Sequence, residues 1–378
     1  MNNNLLNLSP LDGRYEKDLV ELKSFFSEMS LIKYRIKIEI EYLIALSNEK
    51  EIKSLKPFTK KEIDNLRKIY LQFDLSEAKK IKKIENETNH DVKAIEYYLH
   101  TRIKKELHAW IHFGLTSEDI NNLCYTLMWK DSIENEYIKI LIKVIDELKL
   151  ISKKYKNISL LSLTHGQPAS PTTVGKEFAV FSHRITKSLK SLRKHSFEAK
   201  FSGATGNWSA HSVSFKEVNW IEFSKKFLIS FDLQPNLITT QIEPNDSLAE
   251  SFHGIVRINT ILIDFCQDIW LYISRGVFKQ KKIAMEIGSS TMPHKINPIN
   301  FENAEGNLGL SNAILNHLAM KLSISRMQRD LSGSTVIRNH GVGLAHSYLA
   351  LKNILKGLKR LSINEKVLES ELNKHWEI

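Results

Sequence analysis

Apolar positions along this chain recur at the spacing of helices rather than strands. Residues 118–157 contain neither glycine nor proline, and within them Tyr137, Leu141, Val144, Leu148, Ile151 and Tyr155 follow alternating steps of four and three. Ile255, Ile258, Leu262, Phe265, Ile269 and Tyr272 repeat that rhythm, and Leu344, Leu351, Leu355 and Leu358 keep it further on. Such spacing lays an apolar seam along one side of each helix. Two more helices are predicted from about Val174 to His195 and from about Phe301 to Leu322. Several long seamed helices pack as a bundle, so the predicted fold is all-α. No βαβ alternation and no glycine-rich phosphate loop interrupts the pattern.

The region before about Gly114 has shorter apolar runs and more breaks, and is predicted to be a smaller helical N-terminal domain, residues 1–113. The central bundle follows over residues 114–363, with a further helix starting near Asn364 and running to the last residue, Ile378. Three polar clusters interrupt the bundle, at residues 114–122, 163–173 and 286–300. In the first, Thr116 followed by Asp119 reads as a capping box with Asp in the usual Glu position. In the second, Gly166 and Pro168 make a tight turn around His165, and histidine is the side chain suited to proton transfer near neutral pH. The third, Gly288-Ser-Ser-Thr-Met-Pro-His-Lys-Ile-Asn-Pro298, joins two serines, a lysine and an asparagine in the manner of a lid.

Composition narrows the class. Hydrophobic residues are 42% and charged residues 26%, the balance of a globular domain. The most apolar run, Ile255 to Ile273, carries Arg257, Asp264 and Asp268, so no membrane span is expected. The asparagine-rich start lacks the features of a signal peptide. Cys124 and Cys266 sit in helical apolar contexts, which suits buried thiols in a cytoplasmic protein. The net charge of +11 is spread over many lysines. It is read as solvated surface with some attraction for anionic metabolites, and no nucleic-acid partner is expected.

Together the three clusters resemble the signature regions of the fumarase/aspartase superfamily, and GSSTMPHKINP matches its pattern SSxMPxKxNP, a long and specific signature. The stretches SPLDGRY (9–15), TNHDVKAIEYYL (88–99), TTQIEPND and RDLSGSTVIRN resemble, more narrowly, the adenylosuccinate lyase family in its bacterial form. That resemblance implies elimination of fumarate from a phosphorylated succinyl-purine nucleotide, with no cofactor and no metal. It implies Ser289 as base and His165 as general acid. It places Arg14, Tyr15, Arg329, Ser334, Thr335 and Arg338 at the nucleotide and Thr116, Ser117 and Gln241 at the succinyl group. Asn89, His90 and Asp91 would contact substrate beside them, and Lys295 and Asn297 would stabilise developing charge. Another lyase of the superfamily, such as an argininosuccinate lyase, or a scaffold that has lost catalysis, is the alternative reading. The family's small C-terminal helical domain is expected to be missing, because the chain stops inside the helix begun near Asn364.

An unbroken helix over 118–157 would span about 60 Å. Thr116 and His165 could then meet only between subunits, which agrees with the homotetramer and shared active sites that the resemblance implies.

Overall fold

The computed structural model describes residues 6–281 and 296–378. The longer helices of its N-terminal region are α1 (Glu28–Ser47), α2 (Lys60–Leu71), α3 (Leu75–Thr88) and α4 (Asp91–His100). Each begins on a side chain that satisfies an N–H group otherwise left open at a helix start. Ser27 caps α1 and Asp74 caps α3, while Thr59 and Glu62 form a complete capping box on α2. The cap of α4 is His90, whose Nδ1 accepts from the Lys93 N–H at 3.1 Å.

The glycine-free stretch forms one helical run in three parts. Helix α5 (Ser117–Ser132) passes through a π-helical turn, Ile133–Tyr137, into α6 (Ile138–Lys154). The wider turn re-phases the helix faces. Before it, α5 is buried on nearly every side, including Asn121, Asn122, Thr126 and Lys130. After it, α6 buries the predicted seam of Tyr137, Leu141, Val144 and Leu148 and turns its lysines to solvent. The chain returns along α7 (Val174–Arg193), passes through the short helix α8 (Trp220–Ile229), and enters α9 (Asp246–Ser274). Helices α10 (Ile299–Leu322), α11 (Ser332–Ile337), α12 (His340–Arg360) and α13 (Glu365–Asn373) complete it.

Helices α6, α7, α9, α10 and α12 pack side by side as the bundle. Ile255, Ile258, Leu262, Phe265 and Ile269 of α9 and Leu344, Leu351 and Leu358 of α12 lie in its core, as their spacing predicts. The core also contains polar groups that periodicity does not reveal. Asn259 donates to Ser311 Oγ and Asn312 Oδ1, each at 3.0 Å, and accepts from Ser347 at 2.6 Å. Ser347 also bonds the Tyr137 hydroxyl at 3.1 Å, and His346 pairs with Asn307 at 2.8 Å. The partners satisfy one another, so the bundle carries them at little cost and gains a fixed register.

Among the described residues, no helix is long and apolar enough to cross a membrane. Both cysteines are buried and unbridged, in line with their apolar sequence contexts.

His340 departs from this satisfaction. Phe26, Tyr125 and Trp129 ring its imidazole at centroid distances of 4.9, 5.5 and 6.1 Å. Neither ring nitrogen has a well-formed hydrogen bond, and the Ile337 backbone offers only a weak contact that opposes the effect of burial. Burial pushes its pKa down to about 3. Below the ordinary histidine value the unfolded chain therefore takes up a proton that the folded chain refuses, and stability falls with pH through that window. His340→Leu removes both the orphaned nitrogens and the proton linkage. Urea unfolding should find the variant more stable than the parent, its margin widening by on the order of 2 kcal/mol between pH 8 and pH 5. A margin independent of pH would remove the linkage argument.

Candidate functional site

The first turn of α5 is the place where most predicted site residues converge. It starts at Thr116, and Asp119 closes the predicted capping box by accepting from the Thr116 N–H at 2.9 Å. Because this helix start is half-buried, protein groups rather than water must satisfy it.

Two ion-pair clusters flank that turn. On one side Asp91, the first residue of α4, accepts from Arg35 at 2.6 Å and from Arg338 at 3.0 Å. Burial would raise the Asp91 carboxyl, but the two guanidinium groups and the Val92 N–H hold it at about 2. Arg35 is almost wholly enclosed, and its Nε donates to Asn121 Oδ1 of α5 at 3.0 Å. The predicted Asn89 and His90 stand beside this pair. Asn89 takes the left-handed conformation, φ 51°, that ends α3 and turns the chain into α4. His90 is exposed, and its Nδ1 is occupied by the Lys93 N–H, so the neutral ring carries its proton on Nε2.

On the other side Arg329 lies 3.3 Å from Glu118 and donates to Gln241 Oε1 at 3.2 Å. Gln241 donates in turn to the Ala204 carbonyl at 2.8 Å. Burial pushes the Glu118 carboxyl up, and Arg329 pulls against that shift. Two residues beyond Gln241, burial raises Glu243 to about 7, although Asn236 and the Asn245 N–H bond its carboxylate. A small cleft lined by Glu118, Tyr125, Asp330 and Ser334 opens between α5 and α11. Ser117 is half-buried at the start of α5, and Thr335 is exposed on α11.

Other predicted residues lie apart from this cluster. His165 and Gly166, with φ of 53° and 74°, form the two-residue tip of a β-hairpin of β1 (Ser159–Thr164) and β2 (Gln167–Thr173). The cluster read as a polar loop is thus a ribbon, because two adjacent left-handed residues favour a tight hairpin turn. The imidazole is exposed, and among the described residues it makes no hydrogen bond to another predicted site residue. The run from Ser117 to Lys154, about 57 Å long, stands in the chain between Thr116 and this hairpin. Tyr15 is half-buried against α10, where its hydroxyl accepts from Asn303 at 3.1 Å, and Arg14 lies over the Tyr15 ring. Asn297 is half-buried just before α10. Ser289 and Lys295 lie outside the described residues.

Sequence reasoning missed Arg35, Glu118, Lys200 and the Asn122 clamp that holds Lys200. Glu118 and Asn122 sit inside the first polar cluster without a role assigned to them; Arg35 and Lys200 are single polar residues in unremarked stretches, brought to the site by folding. A cavity of about 970 Å³ opens elsewhere, lined by Phe58, Lys68, Arg102, Lys104 and Trp110 among others. None of the predicted residues lines it. Among the described residues no group of three His, Cys, Asp or Glu side chains is arranged to hold a metal ion.

Comparison with known proteins places the chain. Residues 13–313 match the family described as Lyase, and residues 325–378 match the one described as Adenylosuccinate lyase C-terminal. The second match corrects the expectation that the C-terminal domain is missing: the matched part begins before Arg329 and includes α11, α12 and α13. Its first residues carry the polar RDLSGSTVIRN motif, which was read with the central bundle, so the boundary left no break in pattern.

The chain is 47% identical to the adenylosuccinate lyases of Haemophilus influenzae and Escherichia coli, over 98% of its own length and 82% of theirs. It is 48% identical to that of Dictyostelium discoideum, over its whole length and 83% of the relative's. In fold it is similar to a fumarate lyase from Mesorhizobium, with a TM-score of 0.78 at 16% identity. That match covers 94% of this chain and 78% of the other. A 3-carboxy-cis,cis-muconate lactonizing enzyme from Pseudomonas putida gives a TM-score of 0.74 at 19% identity with the same coverage. The all-α bundle is thus the fold of these lyases, and the chain belongs to the adenylosuccinate lyase family.

Proposed function

We propose that the clusters around the first turn of α5 hold adenylosuccinate while fumarate is eliminated from it, leaving AMP, and that the corresponding carboxamide ribotide of purine biosynthesis reacts in the same way. The observation that carries this reading is the pairing of Arg338 with Asp91 and of Arg329 with Glu118 and Gln241, on two sides of one helix start. A planar guanidinium pairs with phosphate or carboxylate in bidentate fashion. Anions arriving here find two such groups already oriented. Membership of a carbon–nitrogen lyase family supplies the reaction class.

The chemistry sets three demands. A base must take a weakly acidic proton from the carbon beside a carboxylate, and Ser289 has that role. Its hydroxyl is a poor base until nearby N–H dipoles and positive charge favour the alkoxide. The carbanion-like intermediate needs fixed donors, which Lys295 and Asn297 supply. The departing nitrogen needs a proton, which His165 gives. Thr116, Ser117 and Gln241 hold the succinyl group, and Arg14, Tyr15, Arg329, Ser334, Thr335 and Arg338 hold the nucleotide. His90, flanked by Asn89 and Asp91, presents Nε2–H to the substrate.

These residues fall into separate groups along one chain: the α5 cluster, the His165 hairpin tip, and the approach to α10. The reading that reunites them is a cytoplasmic homotetramer in which each site draws on three subunits. The stiff run from Ser117 to Lys154 favours this arrangement, since it leaves the hairpin to serve a neighbour's site.

Four measurements check the reading. Purified protein mixed with adenylosuccinate should convert it to AMP and fumarate, followed by ultraviolet absorbance. Ser289→Ala should lower kcat by about 10³-fold with adenylosuccinate affinity little changed; near-normal turnover would remove the serine base. His165→Ala should lose a similar factor while keeping its circular dichroism spectrum, and an unfolded variant would instead make His165 structural. Mixing the two inactive variants should restore part of the activity through hybrid oligomers, because some sites would then receive both intact residues. No recovery on mixing and re-equilibration would argue for sites complete within one subunit.

A further inference from the structure

We propose that Lys200 is a positioning residue for the succinyl half of the substrate, coupling the Thr116 loop to Gln241 through a fully buried ion pair. The inference rests on the reading above that these two segments hold the succinyl group. The Lys200 side chain is wholly enclosed, and so is that of Asp119, 2.9 Å away. The ammonium group has three donors, and each has an acceptor. One goes to Asp119 Oδ1, one to the Gly203 carbonyl at 2.9 Å, and one to the Gln241 carbonyl at 2.7 Å.

Asp119 carries the connection onward. Its Oδ2 accepts from the Thr116 N–H, and its Oδ1 also accepts from the Ser202 and Gly203 N–H groups at 2.9 and 3.2 Å. One ion pair therefore ties together the loop before α5, the turn at 202–203 and the segment at Gln241. Lys200 itself cannot drift, because Asn122 of α5 grips both sides of its backbone, accepting from its N–H and donating to its carbonyl, each at 3.0 Å. The turn it bonds is held as closely. Gly203 has φ 80°, and a Cβ there would come within 3.3 Å of the Gly114 carbonyl.

A buried ion pair contributes little net stability compared with apolar packing of the same volume. What it contributes here is geometry: the backbone of Gln241 and the N–H of Thr116 are both fixed relative to one nitrogen. Lys200 touches no exposed surface, so its effect on substrate passes through those two residues. Of the nucleotide-side residues, Arg338 with Asp91 and Arg35 makes no bond to this node, and Arg329 reaches only the Gln241 side chain, not the backbone carbonyl that Lys200 holds.

That separation gives the test. Lys200→Met removes the ammonium, and the double variant Lys200→Met/Asp119→Asn removes the charge pair together, so that no lone carboxylate is left buried. Each is assayed as the full-length oligomer. KM for adenylosuccinate should rise about tenfold or more, the scale of one lost charge-assisted hydrogen bond. Affinity for AMP, which lacks the succinyl group, should stay within about twofold by calorimetry. Equal weakening of both ligands, an unchanged KM in a folded double variant, or failure of both variants to fold would each overturn the proposal. Gln241→Met is the control. If its KM does not rise, the succinyl placement itself is wrong; if its KM rises while that of the double variant does not, only the coupling through Lys200 fails.

Discussion

A helix that enters the protein interior start-first must find partners for its open N–H groups without water. Helix α5 does so, and much of the molecule is arranged around that need. The Asp119 carboxylate accepts from the helix's own cap and from two N–H groups of another loop, and the Lys200 ammonium neutralises it. Leaving either charge alone in that enclosure would cost several kcal/mol. The two occur together, and the segments around them converge on one point. Glu39 and Tyr42 of α1 hold the preceding loop, accepting from and donating to the backbone of His112 and Phe113. His211 packs flat against Gly114, leaving no room there for a side chain.

On the proposed function, that same rigidity prepares a binding surface. Arginine side chains are flexible in water, and ordering them costs conformational entropy. Here Asp91 and Glu118 hold Arg338 and Arg329 in advance, so part of that cost is met in folding rather than on binding. The acidic partners also differ. Asp91 stays ionised because two guanidinium groups share it, whereas burial pushes the Glu118 carboxyl towards its neutral form.

The bundle sets the distances. Its helices keep a fixed register through hydrogen bonds from Tyr137 through Ser347 and Asn259 to Ser311. The π-helical turn at 133–137 lets one continuous run serve two environments. It is enclosed where it supports the cluster and one-sided where it joins the bundle. The run keeps its two ends about 57 Å apart, the separation on which the proposed sharing of sites between subunits rests.

Sequence alone determined the helices with a single apolar seam, because burial on one face writes a period into the chain. It also determined that the chain turns tightly around His165, although the tip is His165-Gly166 and Pro168 already belongs to β2, and it determined the cap at Thr116 and Asp119 and the family, because these depend on residues adjacent in the chain. It did not reveal that α5 is buried on nearly every side, since a helix enclosed by both polar and apolar neighbours has no periodic signature. Nor did it mark Lys200 or Arg35, each one polar residue in an ordinary stretch until the fold carries it across 78 residues to Asn122 or 56 to Asp91; Asn122 lies in the first polar cluster, but nothing local names its partner. The C-terminal part was misjudged for a related reason, because its first residues carry site polarity and its last helix is short, and no local pattern separates it from the bundle. Chemistry between neighbours in sequence is legible in order; which distant charges share one enclosure is decided only when the chain has closed around them.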